Sequence, residues 1–371
     1  MRFKTELNVN LSVLERNFQK LSKIIKGNEI IFMVKANAYG HGLVSTTRFA
    51  NEAIGIKEFG LASLGEAVKL RTELPALEFE ASVFSELQFG NDDLRELYQS
   101  HRIIPVISDL VDLEIFLKDP GFKNFPLRLH FNTGMNRLGV EMDQIEKVID
   151  LLKKNGRKSI DHLMTHFACA ANSMKTNSHN KRQIKNWENL KSSFKGSGVT
   201  LSQTSISNSG ALEQGVGLDE SHVRPGLMLY GPSSLIPPIR DQSLWMGENI
   251  STLKTEVLKV FKVDRGQPVG YGATPSPEAG EVAVIALGYG DGFQTSYQSS
   301  HIAKGRVLGR VNMDMAQVFF EGHCPYKKGD EFQVWNHEQS SVMDLSDESG
   351  NTPYTLFCSL TERVPRTYSR S

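Results

Sequence analysis

Between about residue 8 and residue 236 the chain alternates short apolar runs with amphipathic stretches, and this alternation limits its possible folds more than any other feature. The runs fall at 30–34, 59–62, 78–84, 103–107, 127–131, 162–167, 203–207 and 222–229. Between them lie helical patterns. Leu11, Leu14, Phe18, Leu21 and Ile25 recur at helical spacing behind the capping-box pair Ser12 and Glu15, and Ser63 with Glu66 repeats that signature. Eight strand–helix units of this length predict a (β/α)8 barrel. An open doubly wound sheet is the competitor, and the strand count favours the barrel. After Pro237-Pro238 the pattern changes. Residues 253–263, 281–287, 306–320 and 331–335 are β-rich, with turns signalled at Asp264-Arg265-Gly266 and Gly329-Asp330. The expectation is an α/β chain. A TIM-type barrel spans 8–236, and a smaller all-β C-terminal domain spans 237–371 and takes in the first few N-terminal residues.

Charge excludes some classes of partner. The 371 residues carry 42 Lys plus Arg against 42 Asp plus Glu, so no bulk field draws the chain to nucleic acid or to an anionic membrane. Any anion site must be built locally. Three scattered cysteines, Cys169, Cys324 and Cys358, make neither a disulfide framework nor a C-x-x-C metal site. The first six residues have no apolar segment typical of a secretory signal, and no run approaches the ~20 apolar residues of a membrane span. The expected location is the cytoplasm.

Chemistry concentrates in Val34-Lys35-Ala36-Asn37-Ala38-Tyr39-Gly40-His41-Gly42. Lys35 stands at the carboxyl end of the first barrel strand, where barrel enzymes place reactive groups. Beside apolar neighbours such a lysine loses its proton more readily and suits Schiff-base chemistry with an aldehyde. Taken alone, it reads rather as a lysine at a strand end that snorkels to solvent. The nine-residue run resembles the cofactor-attachment motif of the alanine racemases. The resemblance continues through 132–139, 162–168, 208–209, 223–231, 269–275, 286–292, 309–315 and 354–366. It implies a barrel that binds pyridoxal 5′-phosphate, a β-rich second domain, and a head-to-tail homodimer with shared active sites.

By that resemblance, Lys35 carries the cofactor and handles the proton of the D-enantiomer. Tyr271, in Val269-Gly270-Tyr271-Gly272, is the second base and acts on the neighbouring subunit's cofactor. Without the resemblance it would read as a turn tyrosine between glycines. Arg224 faces the ring nitrogen, and His166 lies beside the cofactor, hydrogen-bonded to Arg224. Tyr39, Ser209, Tyr354 and the backbone near Gly226 hold the phosphate. Arg137 contacts the substrate carboxylate and the phenolic oxygen, and Met313 of the partner subunit offers its backbone amide. Asp314 and Tyr289 line the approach to the site.

One stretch departs from the family pattern. Many alanine racemases carry a carbamylated lysine and an aspartate before Thr-Gly-Met, where this chain has His130-Phe131-Asn132. Imidazole forms no stable carbamate, so activity is expected to be independent of lysine carbamylation. His130 then pairs with Arg137, holds a water or anion beside it, or merely fills space. The implied activity is interconversion of L- and D-alanine to supply peptidoglycan. The alternatives are a racemase of broader specificity, with Asn132 and Asn136 reshaping the pocket, a decarboxylase of related fold, and a non-enzymatic carrier of pyridoxal phosphate. The carrier proteins end after the barrel, whereas this chain continues into the segment with Tyr271 and Met313.

Overall fold

A computed structural model describes residues 4–370; residues 1–3 and 371, parts of the chain start and of the second domain as read above, lie outside the described residues. The main strands before residue 236 are β1 (Glu6–Asn10), β2 (Glu29–Met33), β3 (Glu58–Ser63), β4 (Glu80–Glu86), β5 (Ile104–Ile107), β6 (Arg128–Asn132), β7 (Ser159–Met164), β8 (Thr200–Ser205) and β9 (His222–Val223). Those after it are β10 (Ser251–Val263), β11 (Gly280–Ile285), β12 (Ala316–Glu321), β13 (Glu331–Trp335) and β14 (Arg366–Ser369). Strands β2 to β9 form a parallel sheet in the order β9-β2-β3-β4-β5-β6-β7-β8. All eight apolar runs of the sequence are in it. The sheet curls into a nearly closed barrel. No ladder joins β8 to β9, but the Arg224 N–H donates to the Ser207 carbonyl at 3.0 Å and the Thr204 N–H to Ser221 Oγ at 2.8 Å across the seam.

Most of the barrel strands are followed by helices: α2 (Leu43–Glu52), α3 (Leu64–Glu73), α4 (Asp92–Ser100), α5 (Leu110–Lys118), α6 (Ile145–Lys154) and α7 (Ser178–Phe194), while α1 (Leu11–Ile25) leads into β2. Helix α6 illustrates why they form. Its buried residues Ile145, Val148, Ile149 and Leu152 fall at i, i+3, i+4 and i+7, which makes one apolar stripe against the sheet. After β8 and β9 only the single turns Ser209–Leu212 and Leu227–Tyr230 remain. Helix α1 begins one residue before the expected Ser12 cap. Strand β1 runs straight into it, and Asn10 Oδ1 caps it by accepting from the Ser12 N–H at 3.1 Å. Ser63 does cap α3, but the Glu66 carboxylate accepts from the N–H groups of Ala62 and Asn37 instead of closing a box.

Strand β1 lies in the second sheet, antiparallel to β10 and parallel to β14, so residues 8–10 sit there rather than in the barrel. That sheet continues from β10 through β11 and β12, with β13 paired to β10. Beside it stand two helices that the sequence reading did not include, α8 (Gln339–Glu348) and α9 (Pro353–Cys358). Helix α9 starts with Thr352 as cap and proline at its first position, a local start signal too short for any periodicity to reveal.

The second sheet holds the segment after β2 in place. Ala36, Asn37, Ala38 and Tyr39 all have φ between 51° and 57°. Left-handed backbone costs roughly 1–2 kcal/mol per residue, so such a run persists only where its surroundings impose it. Here Arg366 Nε donates to the Gly40 carbonyl at 2.9 Å, and His41 Nε2 lies 3.0 Å from Ser251 Oγ. Gly40, at φ 80°, sits so close to the Phe357 carbonyl that a Cβ would collide with it.

Candidate active site

The carboxyl ends of the barrel strands open into a cleft of about 190 Å³. Lys35 enters it from the end of β2, His130 from β6, His166 from just beyond β7, and Ser209 and Arg224 from beyond β8 and β9. Tyr39, Gly226 and Tyr354 line the same cleft, as does Arg137 from the loop after β6. Eight of the ten site residues expected from the sequence therefore meet in one place.

Its electrostatics are one-sided. Lys35, Arg137 and Arg224 face a lining that includes no Asp or Glu among the described residues. Burial, reinforced by Arg137, lowers the Lys35 pKa. Arg224 is 4% exposed, and burial pulls its pKa down to about 10, so it stays protonated at neutral pH. Burial together with Arg224 and Arg137 lowers the His130 pKa to about 3, and the same causes push His166 well below its usual value. Cations packed together without acids call for an anionic occupant.

Hydroxyls and backbone complete the cradle. Ser209 Oγ accepts from the N–H groups of Gly226 at 3.0 Å and Met228 at 3.3 Å. A Cβ at Gly226 would run into the Tyr39 hydroxyl, so the close approach of these groups requires glycine. The Tyr354 hydroxyl lies 3.4 Å from Ser234 Oγ, and its ring stands 5.6 Å from that of Tyr39. Pyridoxal phosphate carries a phosphate, a phenolic oxygen and an aldehyde. The converging hydroxyls and amides, the arginines and the desolvated amine of Lys35 fit those three groups.

Two contacts raised by the sequence are not made. His166 does not bond to Arg224; its Nε2 lies 3.4 Å from Asn208 Nδ2. The buried guanidinium instead takes oxygen acceptors, donating to Ser205 Oγ and to the Thr165 and Ile206 carbonyls. Nor does His130 pair with Arg137, and neither side chain has a hydrogen-bond partner among the described residues. Asn132 braces the Arg137 loop. Its amide donates to Glu141 Oε1 at 3.0 Å and to Asn136 Oδ1 at 3.0 Å, while its carbonyl accepts from the N–H groups of Gly134 and Asn136. An aspartate at 132 would face the Glu141 carboxylate with like charge. Sequence reading missed Glu141; the asparagine was the only hint that a carboxylate stood opposite.

Tyr271 and Met313 lie elsewhere. They line a broad cleft of about 1010 Å³ formed by loops of the second domain, with Tyr289, Arg310 and Asp314; Tyr271 stands in the turn of a small hairpin whose strands are Pro268–Val269 and Thr274–Pro275. Tyr271 is 70% exposed and Met313 53%. Neither lines the cleft that holds Lys35. An exposed apolar and aromatic surface of this kind ordinarily awaits a partner.

The buried imidazoles have a consequence for stability. His41, whose pKa burial lowers to about 3, joins His130 and His166 in being neutral when folded. Below about pH 6.5 the unfolded chain binds protons that the folded chain refuses, so stability falls with pH by about 1.4 kcal/mol per unit for each group. The urea midpoint should therefore drop between pH 7 and pH 5. A flat or rising midpoint would contradict the assignment.

Comparison with known proteins points one way. Residues 9–234 match the profile of the alanine racemase N-terminal domain, and residues 250–368 that of its C-terminal domain. An alanine racemase of Alcanivorax borkumensis is 31% identical, covering 98% of this chain and 99% of its own. A catabolic alanine racemase of Schizosaccharomyces pombe is 30% identical, covering 97% and 98%. Among solved structures, the alanine racemase of Acinetobacter baumannii superposes with a TM-score of 0.84 at 26% identity over 100% of both chains. That of Bartonella henselae, described with covalently bound pyridoxal phosphate, gives 0.84 at 22% identity, covering 99% of this chain and 100% of that one.

Proposed function

The chain belongs to the alanine racemase family, whose members are pyridoxal-phosphate-dependent isomerases, and on that premise we propose that it interconverts L- and D-alanine with two bases, its own Lys35 and Tyr271 of the partner subunit. The observation that carries this reading is the acid-free cleft that gathers Lys35, Arg137 and Arg224 with the hydroxyls of Tyr39, Ser209 and Tyr354.

Tyr39, Ser209, Tyr354 and the Gly226 amide would hold the cofactor's phosphate, and Lys35 its aldehyde. Once bound, the cofactor supplies an electron sink that acidifies the substrate Cα–H. Inverting the centre then needs a base on one face and an acid on the other. Lys35, with a lowered pKa, yields a neutral amine more readily and serves the D face. Tyr271, exposed at the tip of a small hairpin in the second domain, serves the L face of a neighbouring site in a homodimer. Arg137 holds the substrate carboxylate, together with the backbone amide of Met313 of the partner subunit. Arg224, protonated at neutral pH, would face the cofactor's ring nitrogen and donate a hydrogen bond to it without giving up its proton, which would keep the electron sink weak and favour proton return to the α-carbon. His130 stands where a carbamylated lysine would, and turnover is independent of bicarbonate.

Alanine is the substrate named for the relatives, and we assign it here. The product serves peptidoglycan synthesis. Three unpaired cysteines agree with a reducing compartment such as the cytoplasm. No helix among the described residues is long and apolar enough to cross a membrane. The test is chiral product analysis over a panel of L-amino acids. The purified protein should absorb as a pyridoxal enzyme, lose that band with borohydride, and erase the optical activity of L-alanine without releasing carbon dioxide. Carbon dioxide release would make it a decarboxylase. Faster turnover of serine or larger substrates would make it a broad-specificity racemase.

A further inference from the structure

Branched apolar side chains ordinarily fill a barrel of this kind. Here a polar column occupies part of the interior. At one end Arg128 on β6, 2% exposed, donates to Ser82 Oγ at 2.7 Å, to Glu58 Oε2 at 2.9 Å and to Glu80. Glu58 Oε1 lies 3.2 Å from His222 Nε2, and the rings of His222 and His162 are 4.8 Å apart. His162 Nε2 in turn lies 2.8 Å from Ser205 Oγ, which accepts from Arg224 at the floor of the cleft.

The two arginines are not equivalent. Arg128 is matched by two carboxylates. Arg224 is as deeply buried but is held by neutral oxygens alone, those of Ser205, Thr165 and Ile206. A guanidinium held this way depends on each acceptor for its position, because a lost acceptor leaves a desolvated charged donor.

Ser205 can present a lone pair to Arg224 only if its own proton points elsewhere. The acceptor within reach is His162 Nε2, which places the imidazole proton on Nδ1. Nδ1 is buried and makes no hydrogen bond of ordinary distance and angle, with the Gln203 side chain on β8 as the polar group beside the ring. A leucine would fill the space without that penalty, so the imidazole is accounted for by what its Nε2 does.

We propose that His162 and Ser205 are positioning residues for racemisation: His162, acting through the Ser205 hydroxyl, keeps the Arg224 guanidinium aimed into the cleft. The proposal rests on the reading of Arg224 as the group that faces the cofactor's ring nitrogen. If Ser205 is free to turn, it can present its own proton to the guanidinium, and two donors then oppose each other. Arg224 moves off and the ring nitrogen is left to water. The reaction loses its brake on side products.

The test compares the holoenzyme with Ser205→Ala, His162→Leu and His162→Gln, whose amide can stand in for Nε2. Three quantities are read: kcat and KM for L-alanine, keto acid released per racemisation turnover, and the pH dependence of the bound cofactor's absorption band. In Ser205→Ala and His162→Leu, kcat should fall roughly tenfold with KM changed less than about twofold. Keto acid per turnover should rise and the band should shift, while His162→Gln returns all three toward wild type. Unchanged kcat, keto acid and band in Ser205→Ala and His162→Leu would overturn the proposal. So would a glutamine variant as impaired as the leucine one. If His162→Leu fails to fold, Ser205→Ala, which removes one hydroxyl, decides alone. Wild-type protein that takes up no pyridoxal phosphate would overturn the underlying reading as well; a normal wild type with indifferent variants overturns the pair alone.

Discussion

Lys35→Ala should lower racemisation of alanine by at least about 10³-fold while leaving the fold intact, since the substitution removes a proton-transfer group and the covalent anchor together. The fold is spared because the amine of Lys35 makes no hydrogen bond among the described residues, and the strained segment after it is held from outside. Arg366, Ser251 and the Phe357 carbonyl fix residues 36–41 whatever side chain stands at 35. The melting temperature should therefore stay within a few degrees of wild type, in line with substitutions of about 0.5 kcal/mol or less. Absorbance, circular dichroism and chiral chromatography on the same preparation separate the effects. A variant that racemises within tenfold of wild type would remove Lys35 from the chemistry.

That rigidity also bears on the proton transfer itself. A base must stand at a fixed distance from the carbon it serves, and small displacements are costly in rate. The four left-handed residues set the direction in which the chain leaves β2, and the second sheet prevents their relaxation. Strain at this point keeps Lys35 and Tyr39 in the lining of one cleft, with the absence of a side chain at Gly226 leaving room for the Tyr39 hydroxyl.

How much of this could be read from the sequence depended on how local each signal was. The eight barrel strands were visible because each is a contiguous apolar run, and Lys35 because nine consecutive residues carry its motif. Helix α9 was not, because six residues give no periodicity, although it carries Tyr354 to the barrel mouth. The partners of Arg224 were misjudged for another reason. Ser205 and His162 stand 19 and 62 positions away from it in the sequence, and only closure of the barrel brings them together. Asn132 was read as a residue that could reshape the pocket; its amide instead donates to Glu141, nine residues on, because Val140–Glu141 folds back to pair with β6.

The placement of Tyr271 makes a prediction that no single-chain mechanism shares. Tyr271→Phe should lower racemisation by about 10²- to 10³-fold, the usual worth of one proton-transfer group. Because Tyr271 is 70% exposed within one chain and the substitution removes only its hydroxyl, the fold of each chain should be nearly unchanged. Lys35→Ala and Tyr271→Phe homodimers are then each inactive for different reasons. If Tyr271 works across a two-fold interface, each site of a mixed dimer pairs Lys35 of one chain with Tyr271 of the other. One site in such a dimer carries both lesions and its neighbour carries neither. Dissociating equal amounts of the two variants and letting them re-associate at random makes half of the dimers mixed. About a quarter of the sites are then intact, and about a quarter of wild-type activity should return. If Tyr271 served its own chain, every site in the mixture would keep one lesion and no activity would reappear. Recovery in the mixture therefore tests the assignment of the second base and the shared active site in one measurement.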